Sequence, residues 1–163
     1  RASVRDTSFR QLYLDKFRFD PLTAPEDQLR SPLLVFGIDP AGLTRDDWLD
    51  LLMTHRIQPA FPEDALTIVH DYPASQCALA RIREGDPPVA ERFEIYLGPL
   101  ELANGYHELA DATEQAARFA HDVHTRRARG DRDVPVDTHL LAALEAGFPA
   151  CAGVALGVDR LLM

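Results

Sequence analysis

Glu91-Arg92-Phe93-Glu94-Ile95-Tyr96-Leu97-Gly98-Pro99-Leu100-Glu101-Leu102-Ala103-Asn104-Gly105-Tyr106-His107-Glu108-Leu109 is the stretch on which the reading of this chain turns. Its first seven residues alternate, with Phe93, Ile95 and Leu97 on one side and Arg92, Glu94 and Tyr96 on the other, the period of a β-strand. Gly98-Pro99 turns the chain and Leu100 to Leu109 runs back, so the segment predicts an antiparallel hairpin. If the loop is the two residues Leu97 and Gly98, then Glu94 and Glu101 lie directly opposite. Carboxylates facing across an antiparallel pair repel one another. Such a pair is tolerated on a solvated strand face, here aided by Arg92, or with a hard divalent cation between the two; Mg²⁺ is commonly held by one or two carboxylates and substrate phosphates. The hairpin alone leaves both readings open.

Period two along the return strand places Asn104, Tyr106 and Glu108 on one face but Glu101 on the other. All four line one site only if the strand shifts phase between Glu101 and Asn104, and Gly105 nearby favours a β-bulge there. An amide, an aromatic ring and a carboxylate on one concave face can grip a small cationic ligand, although the same pattern also describes an exposed sheet face. Further along, Cys151-Ala152-Gly153-Val154-Ala155-Leu156-Gly157 reads as a small-residue strand leading into Val158-Asp159-Arg160. Small residues let a flat ligand approach the backbone, and an Arg just past a strand end can lay its guanidinium over an aromatic base. Tight packing with a helix-start ion pair explains it equally well.

Outward from the hairpin, residues 7–19 carry Phe9, Leu12, Tyr13 and Phe17 at roughly helical spacing, and the run from Asp20 to Pro25 breaks the pattern. A helix is predicted from Thr44 to about His55, capped by Thr44, with Trp48, Leu51 and Leu52 as its apolar stripe. Leu66 to His70 is short and β-branched, a strand ended by Tyr72-Pro73. Asp111 to Glu114 has capping-box spacing and opens a helix with Ala112, Ala116, Phe119 and Val123 on one face. That helix closes in Arg126-Arg127-Ala128-Arg129-Gly130, where cations suit the carbonyl end and Gly lies just beyond. Another helix spans about Asp137 to Ala146. Strands and helices do not alternate regularly, which argues for an α+β domain with an antiparallel sheet.

The bulk numbers bound the function. The 163 residues make one domain, and 26 acidic against 17 basic side chains give a formal charge of -9. Nucleic acid gripped along the whole surface would call for the opposite sign. Cys77 and Cys151 have no metal-ligand spacing and read as small hydrophobes. No apolar run reaches the ~20 residues that span a bilayer. With an Arg1-Ala2-Ser3 start and a Leu161-Leu162-Met163 end, both termini are expected to be cut, and the expected location is cytoplasmic.

The residues then carry a resemblance. Glu101 to Leu109, followed by Asp111-Ala112, Gln115 and Phe119, resembles the active-site strand and next helix of lysyl-tRNA synthetases. Gly153 to Arg160 resembles motif 3 of class II aminoacyl-tRNA synthetases, whose Arg stacks on the adenine of ATP. His70-Asp71-Tyr72-Pro73-Ala74-Ser75-Gln76, together with Ala155 to Arg160, is more similar to the elongation factor P (R)-β-lysine ligase family. Lysyl-tRNA synthetases usually carry Glu-Val after Pro-Ala and a Gly where Ala155 stands.

The likeness runs from about Phe9 to Met163. It implies an α+β, class II synthetase-like antiparallel sheet flanked by helices. Residues 1–163 would be the C-terminal part of that catalytic domain, with motif 3 at 153–160 and motifs 1 and 2 absent. It implies an ATP-dependent ligase that forms an aminoacyl-adenylate from lysine or (R)-β-lysine and passes the acyl group to a lysine of elongation factor P. The absence of motifs 1 and 2 leaves the activity of this stretch by itself open. Carried over residue by residue, Glu94 and Glu101 would hold Mg²⁺, while Glu101, Leu102, Gly157 and Arg160 would lie on ATP. Asn104, Tyr106, Glu108 and Ala155 would line the amino-acid pocket, Ala155 narrowing it, with Arg160 and Glu101 as the catalytic pair. The parent is expected to be a homodimer, with tRNA a weaker partner than elongation factor P. The alternatives are a lysyl-tRNA synthetase catalytic domain and a non-catalytic synthetase-like binding module.

Overall fold

The computed structural model describes residues 3–163. Its strands are β1 (Ser3–Ser8), β2 (Ala65–Pro73), β3 (Ile82–Arg83), β4 (Val89–Leu97), β5 (Leu100–His107) and β6 (Ala152–Leu156), and they form one sheet in the order β1-β2-β4-β5-β6, with β3 also pairing β4. All pairings are antiparallel except β1 with β2, which is parallel. The sheet is therefore mixed, and the antiparallel expectation holds for all but this edge. Ser3–Ser8 was not read as a strand because its sequence, SVRDTS, has only one apolar residue; Thr7 alone of the six is buried.

Helix α1 (Phe9–Phe17) begins two residues later than the aromatic spacing implied, because the Ser8 hydroxyl accepts from Gln11 N and caps it there. Short α2 (Glu26–Arg30) and a 3₁₀ turn over Ser31–Phe36 lead to α3 (Arg45–Leu52), which continues as a π turn through Met53–Ile57. Thr44 caps α3 with a full capping box closed by Asp47. The buried stripe of α3 is Trp48, Leu49 and Leu52, with Leu51 half-buried against the same core.

The main core lies where these helices cover β2 and β4: Phe9, Leu12, Tyr13, Leu29, Trp48, Leu49 and Leu52 pack with Val69, Tyr72 and Tyr96. The Tyr13 hydroxyl donates to Leu49 O at 2.6 Å. Helices α4 (Ala112–Arg129) and α5 (Thr138–Glu145) pack on each other, and α6 (Val158–Leu162) returns onto β5. Asp111 caps α4 through Thr113 N and Glu114 N, but Glu114 pairs with Arg118 instead of closing a box. Gln115 is the buried position of α4, and Ala116 of the expected stripe is exposed. The arginines at its end hold the following loop: Arg127 pairs with Asp133, and Arg126 donates to Arg132 O. Cys77 and Cys151 are half-buried free thiols.

Candidate active site

The β4–β5 register decides what shares a face. Leu97 pairs with Leu100 and Tyr96 with Glu101, but Ile95 pairs with Ala103 and Glu94 with Asn104. The turn is therefore Gly98-Pro99, not Leu97-Gly98, and Glu94 does not face Glu101 directly. Leu102 is the extra residue of a bulge, at the phase break expected between Glu101 and Asn104. Because of it, Arg92, Glu94 and Tyr96 share a face with Tyr106, Asn104 and Glu101. Pairing of β6 puts Ala155 opposite Asn104 and Gly153 opposite Tyr106, which extends that face by one strand.

The Arg92–Glu94–Tyr96 side of β4 is not a solvated face. Tyr96 is 3% and Glu94 7% exposed, whereas Leu97 on the other side is 40% exposed. The reason is long-range. Tyr72 and Phe61 come from distant segments to pack over this side, and Phe61 meets the Tyr96 ring edge-on at 5.1 Å. A carboxylate so buried needs donors. Glu94 has three: the Tyr72 hydroxyl at 2.5 Å, the Tyr96 hydroxyl, and Arg92 Nη2 at 2.5 Å. Burial, then the charge of Glu94, pushes both phenols above their ordinary range, so they remain donors at any physiological pH.

Glu101 is less enclosed. Its side chain is 35% exposed, and burial together with the Glu94 charge pushes its carboxyl up, with Arg160 and Arg92 pulling the other way. Arg160 Nη1 donates to Glu101 O at 2.8 Å and lies 3.9 Å from its Oε2. Gly157 N donates to Leu102 O at 2.8 Å. Glu101, Leu102, Gly157 and Arg160 thus meet at one corner, where β5 leaves the turn and β6 gives way to α6.

Beyond them on the same face lie Asn104 and Ala155, then Tyr106 and Gly153. The Asn104 Oδ1 is buried and has no hydrogen-bond partner among the described residues. Glu108, just past the end of β5, bends back so that its Oε1 fills the space a Cβ on Gly153 would need. The room left by that glycine therefore serves the Glu108 side chain rather than a flat ligand. Glu101 and Glu108 are seven residues apart, at most about 23 Å along a strand at ~3.3 Å per residue. The face thus has a corner of mixed charge at one end and a carboxylate at the other. A cavity of about 510 Å³, bordered by Asp46, Ser75, Cys77, Arg118 and His121, includes none of these residues in its wall.

These residues fit a nucleotide-bound divalent cation. Arg92 and Arg160 already balance part of the charge of the two carboxylates, Glu101 stays partly exposed, and the unpartnered Asn104 oxygen is set for a donor such as an ammonium. Among the described residues no three His, Cys, Asp or Glu side chains group as a closed metal site. Two protein carboxylates completed by substrate phosphates would be a usual coordination for Mg²⁺.

The profile described as "tRNA synthetases class II (D, K and N)" matches residues 47–163. The chain belongs to this family. Its match covers every strand on which the face is built, and every strand of the sheet except β1. Curated relatives named elongation factor P–(R)-β-lysine ligase are similar over nearly the whole chain. The Salmonella arizonae protein is 47% identical over 159 residues, 96% of this chain and 49% of the relative. That of Klebsiella pneumoniae subsp. pneumoniae is 46% identical over the same length, with the same coverage. The protein of Enterobacter sp. strain 638 is 45% identical over 165 residues, 99% of this chain and 51% of the relative. The chain spans about half the length of the curated relatives it matches. No helix among the described residues is long and apolar enough to cross a membrane.

The site residues that sequence reasoning did not single out are Arg92, Tyr96 and Tyr72. Arg92 and Tyr96 alternate with Glu94 in sequence, and Tyr72 stands in the His70–Gln76 motif, but no local pattern shows that all three close on one carboxylate.

Proposed function

We propose that this chain supplies the ATP- and amino-acid-binding face of a ligase that activates lysine or (R)-β-lysine and transfers it to a lysine of elongation factor P. The observation that supports this most is the Leu102 bulge, which puts Glu101 on the face of Glu94, Asn104 and Tyr106, with Arg160 anchored beside it. The names of the relatives supply the acceptor. In this reading a carboxylate oxygen of the amino acid attacks the α-phosphorus of ATP, the bond to pyrophosphate breaks, and the acyl group then passes to the acceptor amine as AMP leaves.

Glu101 and Glu94 would hold Mg²⁺ against the phosphates, where it would offset charge on the departing pyrophosphate. Arg160, with Leu102 and Gly157, would seat the nucleotide. Glu108 would meet an ammonium of the amino acid, with Asn104 and Tyr106 lining its path and Ala155 setting its width. Such a site works by positioning and charge compensation and needs no covalent nucleophile. We place the parent in the cytoplasm as a homodimer.

The family also contains enzymes that acylate tRNA, so the acceptor is the test. The full-length protein, given ATP, Mg²⁺ and (R)-β-lysine, is expected to label elongation factor P and leave tRNA unlabelled. Labelling of tRNA alone would overturn the proposal in favour of a lysyl-tRNA synthetase, and no adenylate formation would favour a binding module.

A further inference from the structure

His70-Asp71-Tyr72-Pro73-Ala74-Ser75-Gln76 stands out in the sequence, yet the proposed reaction gives none of these residues a task. The structure gives the motif a task. The β2–β4 register shifts between His70 and Tyr72, where Asp71 takes φ +57°, a left-handed conformation that Asp tolerates better than most residues. Past this point Tyr72 is buried among Phe9, Tyr96 and Ala90, and its hydroxyl reaches Glu94. The next turn is fastened to α3: the Ser75 hydroxyl donates to Asp46 at 2.8 Å and the Gln76 amide to Asp50 at 2.9 Å. Gln76 O in turn accepts from Arg92 Nη1 at 3.1 Å. Arg92 lies over the Tyr72 ring, 4.6 Å from its centre, and its other terminal nitrogen donates to Glu94. A continuous hydrogen-bonded path thus runs from α3 through the turn and Arg92 to Glu94.

A carboxylate offers about four acceptor positions. Tyr72 and Tyr96 both bond Oε2 and Arg92 bonds Oε1, which leaves about one. We infer that Tyr72, Tyr96 and Arg92 are positioning residues for the metal–nucleotide step, acting through Glu94: they fix its carboxylate so that it presents a single acceptor position to the cleft. Glu101, whose only cationic partner within 4.0 Å among the described residues is Arg160, provides the more adaptable carboxylate. The inference rests on the ATP and Mg²⁺ reading and adds to it the residues that hold one of the two acids in place.

The test is ATP binding by calorimetry on the full-length protein, with and without Mg²⁺, for Tyr96→Phe, Arg92→Lys and Glu101→Gln. Near-ultraviolet circular dichroism checks packing. Tyr96→Phe removes one hydroxyl without changing shape, so it stays interpretable if Arg92→Lys folds poorly. Removing a group that orients a metal ligand typically weakens metal affinity by about 10–100-fold. Tyr96→Phe is expected to raise the Mg²⁺ concentration needed for tight ATP binding by about that factor, leaving Mg²⁺-free ATP binding unchanged. Arg92→Lys, which keeps the charge but not the fork, should do the same. If Glu101→Gln abolishes the Mg²⁺ effect while Tyr96→Phe leaves it untouched, the positioning inference fails and the site reading survives. If the unaltered protein shows no Mg²⁺-dependent ATP binding, the site reading itself fails. Equal loss with and without Mg²⁺ in Tyr96→Phe would mean a structural role only and would overturn the inference.

Discussion

The two ends of one sheet face have opposite characters. At the β2–β4 end, α1 and α3 close over Val69, Tyr72 and Tyr96, and the buried acid of the face, Glu94, is wrapped by two phenols and a guanidinium. At the β5–β6 end, Asn104, Tyr106 and Glu101 are only partly covered, Ala155 is exposed, and an amide oxygen is left without a partner. The covered end is built as a core, with polar groups admitted only when satisfied. The open end carries charge and hydrogen-bonding capacity that its own residues do not use up. Stability and function are thus divided between neighbouring strands, and Glu94 sits where the two regimes meet.

The largest expected break in this comparison is at the covered end. Leu52 is fully buried, so Leu52→Ala should cost about 2–5 kcal/mol in denaturant unfolding. Leu156→Ala at the edge strand of the open end, on the sheet's other face and with its side chain 49% exposed, should stay within about 0.5 kcal/mol. Similar losses at both positions would erase the distinction.

A smaller effect of opposite sign is expected at Glu101. Its carboxyl is pushed up in the folded state, first by burial and then by Glu94, so the folded protein binds this proton more tightly than the unfolded chain. Its ionised form therefore costs stability above the folded pKa, and the cost is relieved as pH falls through that value. Glu101→Gln should accordingly raise stability at neutral pH and flatten this part of the pH profile. Asp47, held low by its hydrogen bonds to Thr44, has the reverse sign: its contribution is present at neutral pH and fades as pH falls through the folded pKa. A stability loss in Glu101→Gln at neutral pH would show Glu101 to be a structural group.

The same contrast explains what the sequence disclosed. The hairpin, the Thr44 and Asp111 caps, and the phase break before Asn104 all depend on neighbours a few residues away, and all were legible. The polar edge strand Ser3–Ser8 was missed because its pairing with β2 lies some 60 positions along the chain, as Ser3 with Ala65 shows. The burial of the Glu94 side was hidden for the same reason, since Tyr72 and Phe61 supply it. The exact register differs because the turn lies one residue further on, at Gly98-Pro99 rather than Leu97-Gly98, which moves the partner of Glu101 from Glu94 to Tyr96. The open end, made by one hairpin and its neighbouring strand, was the more readable half.

The most direct test uses two acids of the same hairpin that lie on opposite faces. Glu101 shares the face of Glu94 and Asn104, while Glu91 pairs with Arg81 and His107. Calorimetric titration of Mg²⁺ and ATP into the full-length protein should show tight binding that is lost in Glu101→Gln and kept in Glu91→Gln. Equal binding in both variants, or equal loss in both, would contradict the claim that the Leu102 bulge gathers this face into one nucleotide site.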